Sequence, residues 1–156
     1  MSLSYLVSIK VETDDEYTRT KCIDNPNKLY IFGENLEDRR SNFPGAGQAC
    51  IRTMDNAYGF ITKKSASEYL SDDNYDNNSK LFLEQCLYIT NLVKYNEKGP
   101  NYFTSKYDTV VFPKYGLGTG RAAMQRECPV TFIEMCRQLY LWFKYNNLQN
   151  LTSPNY

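Results

Sequence analysis

Apolar and polar residues alternate near the start of the chain. Tyr5, Val7, Ile9 and Val11 share one face, with Ser4, Ser8 and Lys10 between them and only Leu6 breaking the rhythm, the period of a β-strand. The stretch from Asp14 to Lys28 is polar, and its Asn25-Pro26 marks a turn. Leu29 to Phe32 reads as a short apolar strand that stops at Gly33, and Glu34 to Gly47 as a long loop ending in Pro44-Gly45-Ala46-Gly47. A short helix is expected over Gln48 to Met54 and another strand over Tyr58 to Thr62. Asn77 to Tyr95 carries Phe82, Cys86, Ile89 and Val93 at helical spacing, and Gly99-Pro100 ends that helix. Thr109 to Pro113 is the next strand. Cys128 to Tyr145 is the last helix, with Pro129 in its first turn and Phe132, Cys136, Leu139 and Phe143 as its buried stripe. Residues 146–156 form a polar tail that is expected to be loose.

Strands alternating with helices predict one α/β domain over residues 1–145, with a central sheet and helices on both faces. In such sheets ligands bind beyond the carboxyl ends of the strands. Two glycine-bearing loops, one after Phe32 and one after Phe112, start at strand ends. If their strands are neighbours, the loops flank one cleft. In the first loop, Gly33, Gly45 and Gly47 let backbone N–H groups approach an anion, and a helix starting at Gln48 adds its positive end. The second, "FPKYGLGTGR", places Gly116, Gly118 and Gly120 at alternate positions with Thr119 and Arg121 beside them. It lacks the Lys-Ser/Thr pair of a P-loop, and Arg121 stands where a dinucleotide motif needs glycine. A hydroxyl and a guanidinium in a flexible loop suit phosphate oxygens; a plain glycine turn is the alternative. Lys63-Lys64 is either a source of counter-charge or solvated. Glu34, Glu37 and Asp38 are candidate acids or ribose partners, or simply surface carboxylates.

Composition narrows the chemistry. The chain has 156 residues, 42 % of them hydrophobic, with a formal net charge of zero and no histidine. No basic field exists to hold a nucleic-acid backbone. Histidine bases, histidine metal ligands and Ser-His or Cys-His pairs are excluded. Five cysteines without a CxxC spacing read as free thiols in a reducing compartment. Cys50 and Cys128 lie near the two loops and, with no histidine to activate them, are expected to be inert. Neither a signal-peptide pattern nor a run of 18 apolar residues is seen, so a cytoplasmic protein without a membrane span is expected.

Taken together, "LYIFGENL", "FPGAGQACIR", "NAYGFITKKS" and "VVFPKYGLGTGRAAMQRECP" resemble a group of small phage and bacterial domains with the pattern FGDN, GxGGQA, TKK and GxGTG. The likeness spans about Tyr17 to Leu139. Glu34 stands where that group usually has aspartate, and Ala46 where it usually has glycine. The group in turn resembles macro domains, which bind ADP-ribose. The resemblance implies a macro-like three-layer domain with a mixed central sheet. Asn35 falls at the second asparagine of the first macro ligand loop, Gly45 and Gly47 fall in its glycine cluster, and Pro113, Gly118, Thr119 and Gly120 match the diphosphate loop. Asp14 and Asp15 are the candidates for the adenine-recognising aspartate. The histidines of some hydrolytic macro subfamilies are absent.

The expected function is therefore binding of an ADP-ribose-type or related NAD-derived nucleotide, without cofactor or metal. A phage protein of this kind would sequester a host-defence signalling nucleotide. The expected ligand contacts are Gly33, Asn35, Gly45, Gly47, Gln48, Lys63, Gly116, Gly118, Thr119, Gly120 and Arg121. The alternatives are an ADP-ribosyl hydrolase or ADP-ribose phosphatase that uses Asn35 with Glu34 or Asp38, and a protein-interaction module with no small ligand. A side chain placed at Gly118 is expected to block the pocket without unfolding the domain.

Overall fold

The computed structural model describes residues 9–94, 107–145 and 149–151. The most apolar runs of the sequence are its central strands. β2 (Lys28–Asn35) and β4 (Thr109–Pro113) are neighbours, flanked by β3 (Ala57–Lys63) on one side and β1 (Lys10–Asp14) on the other. A short β5 (Gln149–Leu151), from the segment read as a loose tail, pairs with β1. Strand order is β3-β2-β4-β1-β5, and every pairing is parallel. The expected mixed sheet is thus corrected to a parallel one. A strand buried on both faces needs no polar alternation, which is why β2 and β4 read as continuous apolar runs.

Chain direction across the sheet explains the two layers of helices. From β1 to β2 to β3 the chain steps one way; from β3 to β4 to β5 it steps back. Right-handed crossovers then place the first connections on one face and the later ones on the other. The first face carries α1 (Arg19–Asp24) and the 3-10 turn Gly47–Ile51, packed over Tyr30, Phe32 and Val111 with Tyr17, Cys22 and Ile51. The opposite face carries α2 (Tyr75–Lys94) and α4 (Pro129–Tyr145), packed over Leu29, Ile31, Val110 and Phe112. Between β4 and α4 lies a single turn, α3 (Met124–Glu127).

The expected α2 stripe of Phe82, Cys86, Ile89 and Val93 is buried as read. On α4 the buried ridge is rotated: Met135, Leu139 and Trp142 are buried, whereas Cys136 is half-buried. Trp142 turns inward because its indole N–H finds Thr90 Oγ1 at 2.8 Å on α2. The helix α1 falls in a stretch read as polar. Thr18 caps it by accepting from Lys21 N at 3.1 Å, and only Cys22 of its residues is buried. β1 runs further than expected, to Asp14, because Glu12, Thr13 and Asp14 pair with Val111, Phe112 and Pro113. The residues of the first alternation before Ile9, and Gly99-Pro100, lie outside the described residues. No helix among the described residues is long and apolar enough to cross a membrane.

Candidate functional site

β2 and β4 are paired only from Lys28 to Tyr30 against Thr109 to Val111. Their following loops leave in opposite directions, so a crevice opens between them, as parallel sheets do where the winding reverses. The Tyr17 hydroxyl fills the point of divergence, donating to the Ile31 carbonyl at 2.6 Å with the Val111 carbonyl 3.2 Å away. Above it lies a cleft of about 740 Å³ lined by the loops that follow β1, β2, β3 and β4. This is the size range of small-molecule sites. The two glycine-bearing loops do flank one cleft, and every residue expected to contact ligand lines it, as do Glu34 and Asp38; Glu37, the third candidate acid, does not.

The loop after β4 is curled by glycines in the left-handed region, with φ of 87° at Gly116, 82° at Gly118 and 58° at Gly120. Thr119 Oγ1 donates back to the Gly116 carbonyl at 3.0 Å, so that hydroxyl fixes the curl. Among the described residues, no acceptor takes the N–H of Gly118, Gly120 or Arg121. Three unpartnered donors within four residues beside a cleft suit an anion. The 3-10 turn Gly120–Ala122 begins here, nearer than the helix expected from Cys128. Arg121 is exposed at the rim. Gly118 does not behave as expected: a Cβ there would stand 2.5 Å from Met124 Sδ and 3.0 Å from Met135 Cε, inside the core. A side chain at Gly118 presses on the core and leaves the cleft open. Gly120 is the position whose Cβ meets nothing within 4 Å.

The loop after β2 is held by charges that sequence reading assigned to catalysis. Glu34 is 4 % exposed, and Arg52 grips both its carboxylate oxygens, Nε at 2.6 Å and Nη2 at 2.8 Å. These bonds raise the guanidinium pKa further, against the desolvation that would lower it. Arg52 Nη1 also donates to the Phe43 carbonyl at 3.1 Å, stapling the long loop. Asn35 and Asp38 hold one another: Asn35 Nδ2 donates to Asp38 Oδ2, and Asp38 N to Asn35 Oδ1, both at 2.9 Å. Gln48 Oε1 accepts from Gly33 N at 3.0 Å, so this N–H is already used. The N–H groups of Ala46, Gly47 and Gln48 have no acceptor among the described residues.

The other two loops supply the ends of the cleft. Asp14, which accepts from Lys21 Nζ at 2.9 Å, and the exposed Asp15 lie at the β1 end. There Tyr115, 65 % exposed, has Lys114 Nζ 5.5 Å from its ring centre. At the β3 end, Thr62, Lys63 and Ala66 line the wall. Sequence reading missed Tyr17, Arg52, Lys114 and Tyr115. Arg52 had a visible signal, a lone cation at the end of "FPGAGQACIR" opposite the acid of "FGEN". Tyr17 had none, because a tyrosine in a polar stretch does not reveal which carbonyls it reaches. Burial pushes the thiols of Cys22, Cys128 and Cys136 up to about 11 and that of Cys86 up to about 12, which makes them poor nucleophiles.

No curated protein and no solved structure matches the chain. Residues 12–138 match a family of unknown function (DUF7831), and the chain belongs to that family.

Proposed function

We propose that the protein binds a nucleotide diphosphate of the ADP-ribose type in this cleft and holds it without turnover. The observation that carries the reading is the set of unpartnered N–H groups at Gly118, Gly120 and Arg121, opposite those of Ala46 to Gln48. One phosphate would sit on each set, with Arg121 supplying counter-charge. Asn35 and Asp38 keep a donor and an acceptor for a ribose beyond the bonds they exchange. The exposed face of Tyr115 would carry the base. Binding is favoured over hydrolysis because Glu34 has both oxygens on Arg52 and Asp38 gives one of its oxygens to Asn35. In a phage-borne protein such a site would lower the free concentration of a NAD-derived defence nucleotide.

Equilibrium dialysis against ADP-ribose, followed by heating and chromatography, tests this. Depletion of free ligand that returns intact on heating supports capture. Conversion to a product would establish the hydrolase instead. The absence of both heat in calorimetry and a thermal shift with ADP-ribose would remove both.

A further inference from the structure

The layer formed by α2 and α4 is apolar on the side turned away from the sheet. Five large hydrophobic side chains on these two helices, Leu83, Leu87, Val130, Ile133 and Tyr140, are between 52 % and 67 % exposed. On α2, Ser79, Leu83, Leu87 and Thr90 follow one ridge at helical spacing. Ser79 Oγ accepts from Gln138 Nε2 at 3.1 Å and Thr90 Oγ1 from Trp142 Nε1, so this ridge lies beside α4. On α4, Val130, Ile133, Arg137 and Tyr140 form the stripe opposite Met135, Leu139 and Trp142, which pack on the sheet. Single exposed leucines are ordinary, but two such stripes on neighbouring helices make a patch. The other helical layer differs: Ile23 is the one exposed large hydrophobic among the described residues of α1 and the Gly47–Ile51 turn. Arg137, the charge within the α4 stripe, is paired in its own chain with Glu134. Glu84, exposed next to Leu83, is in no ion pair among the described residues.

We propose that this face is the interface of a homodimer, with a second copy of the chain as its occupant. A two-fold axis between α2 and α4 lays α2 antiparallel on α4 of the second copy. Leu83 and Leu87 then meet Tyr140 and Ile133 of the partner subunit. Glu84 comes opposite Arg137 of the partner subunit, whose guanidinium keeps Nη1 beyond its bonds to Glu134. Each contact is made twice, once on either side of the axis, so the patch is its own complement in shape and in charge. With a formal net charge of zero, two copies do not repel one another at a distance. The five side chains expose about 100 Å² each, or about 500 Å² of apolar surface per copy. With a polar rim around it, this approaches the roughly 800 Å² per partner that stable interfaces bury. None of these residues lines the cleft, so the dimer stands apart from the ligand reading and carries two separate clefts.

Sedimentation velocity on the full chain, from about 1 to about 100 µM, tests it. The chain runs as a dimer at the upper end of that range, with a dissociation constant in the micromolar range or tighter. Ile133→Glu and Leu87→Glu, at positions exposed in the single chain, keep the circular dichroism spectrum and weaken the dimer at least about tenfold, because each buries an unpaired charge. Glu84→Arg sets two cations against each other and weakens it about threefold to tenfold. Ile23→Glu, on the other helical layer, leaves it unchanged. A chain that stays monomeric at about 100 µM overturns the proposal. So does a dimer that the three α2 and α4 variants, folded, leave at full strength, or one that Ile23→Glu weakens as much as Ile133→Glu does.

Discussion

Gly118 and Gly120 are two residues apart in one loop, yet their substitution has opposite consequences. Both sit at left-handed φ, 82° and 58°, where any side chain costs about 1–2 kcal/mol. Part of this is offset, by about 0.4–1 kcal/mol, because alanine restricts the unfolded chain more than glycine does. For Gly120→Ala nothing else changes, since its Cβ meets nothing within 4 Å. The net loss is about 1 kcal/mol, or about 2–4 °C in Tm for a chain of this size. For Gly118→Ala the new methyl meets Met124 Sδ at 2.5 Å and Met135 Cε at 3.0 Å, and both methionines are fully buried. Methionine is pliable, but a packed core has little room, so overpacking adds about 1–3 kcal/mol. The expected Tm loss is then about 5–12 °C.

Binding separates the two positions in the other direction. Gly120→Val projects a branched side chain into open space beside the unpartnered N–H groups, so ADP-ribose affinity falls at least about tenfold. Gly118→Ala, measured below its melting temperature, loses affinity only as far as the loop shifts. Thermal melts monitored by circular dichroism and calorimetry with ADP-ribose read both effects. Equal Tm losses for the two alanine variants would refute the side-chain placement at Gly118. Full affinity in folded Gly120→Val would refute the assignment of a phosphate to this loop.

Arg52→Ala leaves the Glu34 carboxylate buried and unpaired, at a cost of about 3–5 kcal/mol in urea unfolding; Arg52→Lys recovers only part of it, because an ammonium cannot grip both oxygens. A loss under 1 kcal/mol would show the pair to be dispensable. Tyr17→Phe leaves the Ile31 and Val111 carbonyls without their hydroxyl and lowers stability by about 1–2 kcal/mol, whereas an unchanged midpoint would mean that water replaces it. Arg137, helped by Gln138 and Tyr75 against the cost of burial, holds the Glu134 carboxyl down at about 2. A depressed carboxylate contributes stability above its unfolded value and loses it as pH falls from about 4.5 to about 2. Glu134→Gln therefore costs about 1–2 kcal/mol at pH 7, after screening by solvent around the half-exposed Arg137, and progressively less toward pH 2; a pH-independent loss would contradict the linkage. Finally, Cys22, Cys86 and Cys128 should remain unalkylated by iodoacetamide at pH 7.5 in the folded protein, as read by intact mass; rapid labelling of any of them would contradict their burial.

The legible parts of this fold were those where one residue's environment follows from its neighbours in sequence. The run Thr109 to Pro113 is apolar because β4 is covered on both faces, and the α2 stripe repeats because one helix face meets the sheet. Parallel pairing was hidden because the relative direction of strands is set by connections across the whole chain. The α4 stripe was legible in part: Leu139 is buried and Phe132 and Phe143 pack against the core, but the most buried positions also include Met135 and Trp142, which fit the same helical period, and Trp142 is drawn in by Thr90 on another helix. In the site, glycine positions were legible and their directions were not. Gly118 and Gly120 share a motif, but which Cβ vector enters the core depends on Met124 and Met135 behind the loop.

The acids of the first loop carry the argument about function one step further. A general base must be able to reach its proton and accept it. Glu34 has both oxygens committed to Arg52, and protonating it would break a bidentate pair that also positions the Phe43 carbonyl. Asp38 receives the Asn35 amide while its own N–H returns the bond, so moving either side chain undoes the turn that begins the loop. What these residues do is keep Gly45 to Gln48 in place across the crevice from Gly118 to Ala122. Two rigid rows of N–H donors set before the ligand arrives favour tight capture, since little ordering remains to be done on binding. With Glu34 held through both oxygens by Arg52 and Asp38 bonded to Asn35, the two cleft-lining acids of this loop serve the scaffold first, and that favours the binding reading over the hydrolase.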